Sequence, residues 1–575
     1  MAAADAPARR RIRALGRPLL LALAVCALLT GSALPLAVAP PARAPAPTPA
    51  CPERAYPDAT ALLAALPGAG YDCAEQLAAA LRPLADPGVA DALLLMAGDG
   101  PHRRARRNAV RALGRLAEGP RGSRARELVL RARGAAVQTT AAALLAREAD
   151  NFLLQDVVWL LDSFFYPSYS AGPALEGVAA RAGLAPALRY RAAAARARLV
   201  FARPGPLTPA DRAFVLKGLR SDDPGVRAAA ATAVARLREG QLVGGARDDL
   251  AAALAAAWAA EPPLALAPDA PDPRDVGLLG FQESSPTSLT ARAAIARARD
   301  RLVGGSALAE LRAAYERLAL PYDLTEGDVA LRTGLPPDEL PALLAELARA
   351  RVALDVILGP GLAPLPGEGD ESLTVLVFAR QGIYRDYVRA FTPFAADVDG
   401  TYDEATGTLY THQRTPEQSE NTLAETLRHE LAHHEAGRRL FPGGWRSPGY
   451  HAEPKGWADE GLAELLAGLG ADGPGPRPGQ LARLCAADGP PDVAALLARR
   501  EGYDRFGRFD YDGAWALSYY LLSERPAALR RIYGAYRDGS YSLARWGAIA
   551  GVGVGRAQAE LEAALARWCG GARGS

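Results

Sequence analysis

Apolar positions recur at helical spacing from about residue 55 to residue 300 with few breaks, which predicts a nearly all-helical first half. Two stretches within it look alike: GPHRRARRNAVRALGRLAEG (100–119) and SDDPGVRAAAATAVARLREG (221–240). In each, a Pro-containing turn precedes arginine and an apolar helical stripe. That is the pattern of HEAT-like helix pairs, whose faces need a neighbour for burial, and it predicts an α-helical solenoid over 53–302. Gly304-Gly305 follows and reads as a hinge. Beyond it the period changes. Leu373–Phe378 (LTVLVF) reads as a short buried strand, and Gly400–Thr411 alternates as a hairpin around Ala405-Thr406-Gly407. Helical spacing resumes near Thr422. The second half is therefore expected to be α+β, a small sheet packed on helices.

Length supports more than one domain, since 575 residues exceed what a single core usually organises. A formal net charge of +2 gives no global electrostatic case for a nucleic-acid partner. Arg9, Arg10, Arg11 and Arg13 precede the apolar run Leu19–Leu29, which reads as an export signal within residues 1–44, followed by a Pro/Ala linker at 45–52. The run is short for a membrane span, so the expectation is a secreted protein with no membrane partner after signal cleavage. Removal of Cys26 with the signal leaves Cys51, Cys73, Cys485 and Cys569. An even count in an exported chain is compatible with two disulfides. Proximity suggests Cys51–Cys73, which leaves Cys485–Cys569.

The chemistry concentrates at HELAHH, which holds three of only six histidines. Thr422 and Glu425 form a capping box, Leu423, Leu427 and Leu431 an apolar stripe, and Gly437 a helix stop. His429 and His433 then lie one turn apart on one helix face, able to grip one zinc ion, with Glu430 directed at water. A catalytic zinc needs a third protein ligand and an open position. The segment WADEGLAELLAG (457–468) offers Glu460 for the metal, with Glu464 four residues on to orient a ligating histidine. His451 and Glu453, in a Pro/Gly-rich loop, are the other candidates for the third ligand.

These residues also carry a resemblance. The stretch TPEQSENTLAETLRHELAHHEAGRRLFPGGW (415–445) is similar to the active-site helix of the bacterial collagenases, a gluzincin family of secreted zinc metallopeptidases. Arg414-Thr415-Pro416-Glu417, Arg428, Gly437-Arg438 and WADEGLAELLAG all fit. So do LTVLVF, the Gly400–Glu404 segment, and FDYDGAWALSYYLL (509–522). The resemblance covers about residues 370–525. It implies a multidomain chain: a HEAT-like activator domain, a thermolysin-like α+β zincin domain at 306–480, and a helical helper subdomain at 481–575. It further implies zinc at His429, His433 and Glu460, Glu430 as general base, and calcium near Glu404 and Gly437. Gly400 and Tyr402 would hold substrate as an added strand, and Tyr503 or else Tyr511 would donate to the oxyanion. Two departures stand out. Asp399 replaces the first of two glycines before the edge strand, and His434 stands where the family commonly has tyrosine. The implied substrate is collagen or gelatin. The alternatives are a zinc peptidase for other peptides and a non-catalytic helical binding protein.

Overall fold

A computed structural model describes residues 58–572, except 121, 166–170, 268–285, 369–371, 444–449, 451–452, 472, 488 and 501–507. The export segment, the linker and Cys51 lie outside the described residues. Among those described, no helix is long and apolar enough to cross a membrane.

The first half is a succession of helices from Ala59–Ala65 to Ala246–Ala260. Asp58, Asp86, Asp150, Thr208 and Asp223 each accept a hydrogen bond from the first turn of the helix they precede, the local signal that starts a helix. Both look-alike stretches become single helices, Arg103–Ala117 and Pro224–Ala235. One apolar core runs through this half, from Leu62 to Leu302. Its alanine richness lets helices approach closely: a Cβ on Gly218 would meet the Ala230 methyl at 2.7 Å.

The helix α1 (Ser288–Val303) belongs to two cores. Ala291, Ile295 and Leu302 pack with the first-half helices, while Leu289, Ala293 and Ala296 pack with Tyr315, Tyr384 and Tyr387. The turn into α2 (Ala307–Ala319) uses positive φ at Gly304 (76°) and Gly305 (126°). It is fastened rather than loose. The Asp300 carboxylate accepts from the Ala307 amide at 2.9 Å and the Leu308 amide at 3.0 Å, so the expected hinge is a capped turn beside a shared core.

Five strands form the sheet, in the order β1-β2-β3-β5-β4. They are β1 (Tyr322–Glu326), β2 (Val329–Thr333), β3 (Leu373–Phe378), β4 (Gly400–Asp403) and β5 (Thr408–His412). β2, β3 and β5 run parallel, and β1 and β4 pair antiparallel at the two edges. β3 and the β4–β5 hairpin match the sequence expectation. Pleating sends Val375, Val377 and Leu409 to one face, against α3 (Leu340–Leu358) and α5 (Leu423–Arg439). Leu376, Phe378 and Tyr410 face α1, α2 and α4 (Gln381–Phe391).

The helix α6 (Gly456–Ala467) packs on α5 and on Arg508–Glu524. Helices beyond residue 481 share the apolar core of α5 and α6, which extends to Leu565. Cys485 and Cys569 are disulfide-bonded with Cα atoms 5.6 Å apart. Cys73 is also disulfide-bonded, and the expected partner Cys51 falls outside the described residues.

Candidate metal centre

The α5 helix starts as its sequence requires. The Thr422 amide donates to Glu425 Oε2 at 2.6 Å and the Glu425 amide donates to Thr422 Oγ1 at 3.2 Å, a reciprocal cap. Leu423, Leu427 and Leu431 are buried, which fixes the rotation of the helix and turns His429 and His433 toward α6. The helix does not stop at Gly437 but continues to Arg439. Arg439 pairs with Asp355 and Glu435, and the Arg438 carbonyl accepts from the Leu365 amide at 2.8 Å. These tertiary contacts carry the helix past a residue that would end it in isolation.

His429 Nε2 and His433 Nε2 face each other at 3.2 Å. Glu460 Oε2, from α6, lies 3.5 Å from the first and 3.7 Å from the second. Two ligand atoms about 2.0–2.1 Å from a tetrahedral zinc ion sit about 3.3–3.4 Å apart, so this triangle has the dimensions of a zinc seat. Glu460 Oε2 is buried without a hydrogen-bond partner, as an atom reserved for a cation would be. Among the described residues, His429, His433 and Glu460 are the group able to hold a metal ion.

The outer nitrogens are engaged as well. His429 Nδ1 is 3.3 Å from Glu464 Oε1, and His433 Nδ1 is 3.0 Å from Asp459 Oδ1. Glu464 is held in turn by Arg477 and, at 2.9 Å, by Gln480. Carboxylates on both outer nitrogens fix the tautomer that turns Nε2 inward. Asp459 was not found from the sequence, where its adjacency to Glu460 was the only signal. Burial alone would lower the imidazole pKa values. For His433 the carboxylates of Asp459 and Glu460 override it and push the value up to about 9, and for His429 Glu460 and Glu464 raise it well above the usual range. The cluster therefore demands positive charge, which a divalent cation supplies.

Glu430 is buried, and desolvation raises its pKa against the opposing charges of the two imidazoles. Edge strand β4 begins beside it: a Cβ on Gly400 would lie 2.5 Å from Thr426 Cγ2 and 3.2 Å from Glu430 Cγ. Tyr402, on the same strand face, has its hydroxyl 2.9 Å from His434 Nδ1. His434 thus lies on the strand side of α5, away from the metal seat, and burial lowers its pKa to about 3.

The remaining predicted residues are placed as follows. A Cβ on Gly437 would sit 3.5 Å from Glu404 Oε1. Glu453 points elsewhere, accepting from the Leu543 amide at 3.1 Å. The charge of Glu460 first, then burial, then Glu430 raise the Tyr511 phenol pKa. Tyr503 and His451 fall outside the described residues. Lys455, preceding α6, donates to the Tyr450 carbonyl at 2.7 Å and sits over the rings of Phe441 and Tyr450. Arg428 of α5 binds the last turn of α6, donating to the Leu466 carbonyl at 2.9 Å and the Ala467 carbonyl at 2.7 Å.

Residues 308–557 match the family described as Collagenase. Collagenase ColQ1 of Bacillus cereus is 28% identical over 233 residues, 38% of this chain and 24% of that protein. Collagenase ColA of Clostridium perfringens is 39% identical over 103 residues, 18% of this chain and 9% of that protein. Collagenase ColA of Bacillus cereus is 26% identical over 209 residues, 36% of this chain and 21% of that protein. The chain thus spans less than a quarter of the length of these curated relatives.

Proposed function

We propose that this chain, whose residues 308–557 match the family described as Collagenase, is a secreted zinc metalloendopeptidase that hydrolyses collagen or gelatin. The single observation that carries the chemistry is the 3.2–3.7 Å triangle of His429 Nε2, His433 Nε2 and Glu460 Oε2. Zinc held by these three atoms would supply Lewis acidity toward a scissile carbonyl and a bound water.

The protein's own groups do the rest. Glu430, one residue from His429 and buried, takes a proton on its carboxylate from the attacking water and returns it to the leaving amine. Asp459 and Glu464 hold the two imidazoles in register. Strand β4 is a sheet edge, so its backbone can accept an extended peptide as an added strand. The tight contact at Gly400 would bring that peptide against Glu430. Tyr503, or else Tyr511, whose phenol pKa is raised first by the charge of Glu460, would donate to a developing oxyanion.

Calcium is assigned to the end of α5. The carbonyls of Ala436, Arg438 and Arg439 accept from Leu440, Leu365 and Arg537, and a Cβ on Gly437 would lie 3.5 Å from Glu404 Oε1. The Glu404 carboxylate and the Gly437 carbonyl would supply part of the six to eight oxygens that calcium requires. The first-half helices fit the role of a HEAT-like activator.

The test is purified protein on native triple-helical collagen and on gelatin, beside Glu430→Gln. Cleavage of both, lost in the variant and on zinc chelation, supports a collagenase. Gelatin cleavage alone restricts the substrate to unfolded chains. Absence of bound zinc refutes the proposal.

A further inference from the structure

Arg414 is unused in the chemistry above, yet its side chain is only 1% exposed and its guanidinium joins three segments. Nη1 donates to Thr426 Oγ1 at 2.9 Å, in the first turn of α5. Nη2 donates to the Asp399 carbonyl at 3.1 Å, Thr411 Oγ1 at 2.6 Å and the His412 carbonyl at 2.8 Å. Nε adds a second bond to the His412 carbonyl at 3.1 Å. Asp399 is the residue before Gly400, and Thr426 lies one turn before Glu430. The Asp399 side chain is drawn into the same cluster, with Oδ2 3.5 Å from Arg414 Nη1 and hydrogen-bonded to Ser419 Oγ.

We propose that Arg414 is a positioning residue that sets the register of edge strand β4 on α5, holding Gly400 over Glu430. A planar fork of five donors suits this junction, and a lysine ammonium could not span it. Removing the fork leaves several buried acceptors unpaired, so the strand is free to shift against the helix. The residue in this chain that departs from the double-glycine pattern, Asp399, is then the anchor of the clamp.

The inference rests on the reading of β4 as the strand that pairs with substrate. The test compares an octapeptide, long enough to pair along β4, with a dipeptide substrate, in wild type, Arg414→Gln and Thr426→Val. Valine keeps the methyl against Gly400 and removes the hydroxyl that Arg414 binds. Arg414→Gln should lower octapeptide kcat/KM about 10–100-fold, mainly through KM, because displacements near 1 Å carry penalties of that order. Dipeptide turnover and zinc content should stay within about threefold. Thr426→Val should change the octapeptide value in the same direction and by less. Equal losses on both substrates, no loss on either, or loss of zinc overturns the proposal. If Arg414→Gln does not fold, Thr426→Val decides. Octapeptide affinity is also measured in a zinc-loaded Glu430→Gln background, where unchanged binding on adding Arg414→Gln overturns the clamp. A wild type that binds zinc and octapeptide but cleaves neither substrate refutes the peptidase reading instead.

Discussion

Placing a methyl group on Gly400 tests how closely the edge strand must approach α5. The new carbon would sit 2.5 Å from Thr426 Cγ2, 3.2 Å from Glu430 Cγ and 3.3 Å from Glu430 Oε1. Carbon atoms prefer about 3.5–4.0 Å, so strand and helix must part by about 1 Å. Overpacking of this kind typically costs about 1–3 kcal/mol of stability. Its larger effect should be on catalysis, because a 1 Å misplacement near a reacting centre costs about 100-fold. Gly400→Ala is therefore expected to lower kcat/KM on an extended peptide about 100-fold while zinc content stays at the wild-type value. The clash is dominated by one methyl group, and Thr426→Ser removes it while keeping the hydroxyl for Arg414. The double variant Gly400→Ala/Thr426→Ser should recover most of the loss, since the remaining contacts need only a few tenths of an ångström. Gly400→Ala activity within threefold of wild type, or a loss that Thr426→Ser does not reduce, would refute the close-approach argument.

Asp459→Asn removes the carboxylate on His433 Nδ1 and should weaken zinc affinity about 10–100-fold, read by competition with a chelator. The Cys485–Cys569 disulfide closes a loop with a sequence separation of 84. Replacing both cysteines with alanine should cost up to about 4–5 kcal/mol in the chain-entropy account, measured by denaturant unfolding. Asp386 accepts from Thr287, which caps α1, and from Thr290 in its first turn, with Arg389 nearby, and burial raises its pKa to about 6. Because the folded value exceeds the ordinary aspartate value of 3.8, its contribution is most favourable below about pH 4 and is lost as pH rises to about 6. Asp386→Asn should flatten that slope and stabilise the neutral-pH protein by up to about 3 kcal/mol, and a slope unchanged in the variant would assign it elsewhere.

What the sequence made legible was local. The Thr422–Glu425 cap, the leucine stripe of α5, the five apolar residues of β3 and the turn at Gly407 each signal through neighbours along the chain. The β1–β2 hairpin carried no such signal, because every β1 residue is exposed and its apolar content is correspondingly low. Gly437 misled for a physical reason: the ion pairs of Arg439 and the bonded Arg438 carbonyl outweigh the intrinsic cost of glycine in a helix. Gly304-Gly305 did adopt the backbone that glycine permits, but the Asp300 cap and the core shared through α1 depend on groups that no dipeptide discloses. Asp459 escaped because a four-residue spacing rule follows one helix face, whereas this seat takes Asp459 and Glu460 from adjacent positions. Arg414 was visible as part of a motif, yet its acceptors on β5, before β4 and on α5 meet only in the folded chain.

Arg428 has a consequence for metal exchange. Its two bonds to the end of α6 reference the Glu460-bearing helix directly to the histidine-bearing one, behind the metal seat. Tied in this way, the three donor atoms would keep their spacing with or without an ion. Zinc should therefore leave and return without refolding, on the timescale of ligand exchange rather than of chain reorganisation. A seat that kept this width would also discriminate by ionic radius, disfavouring a large cation that seeks six or more oxygens.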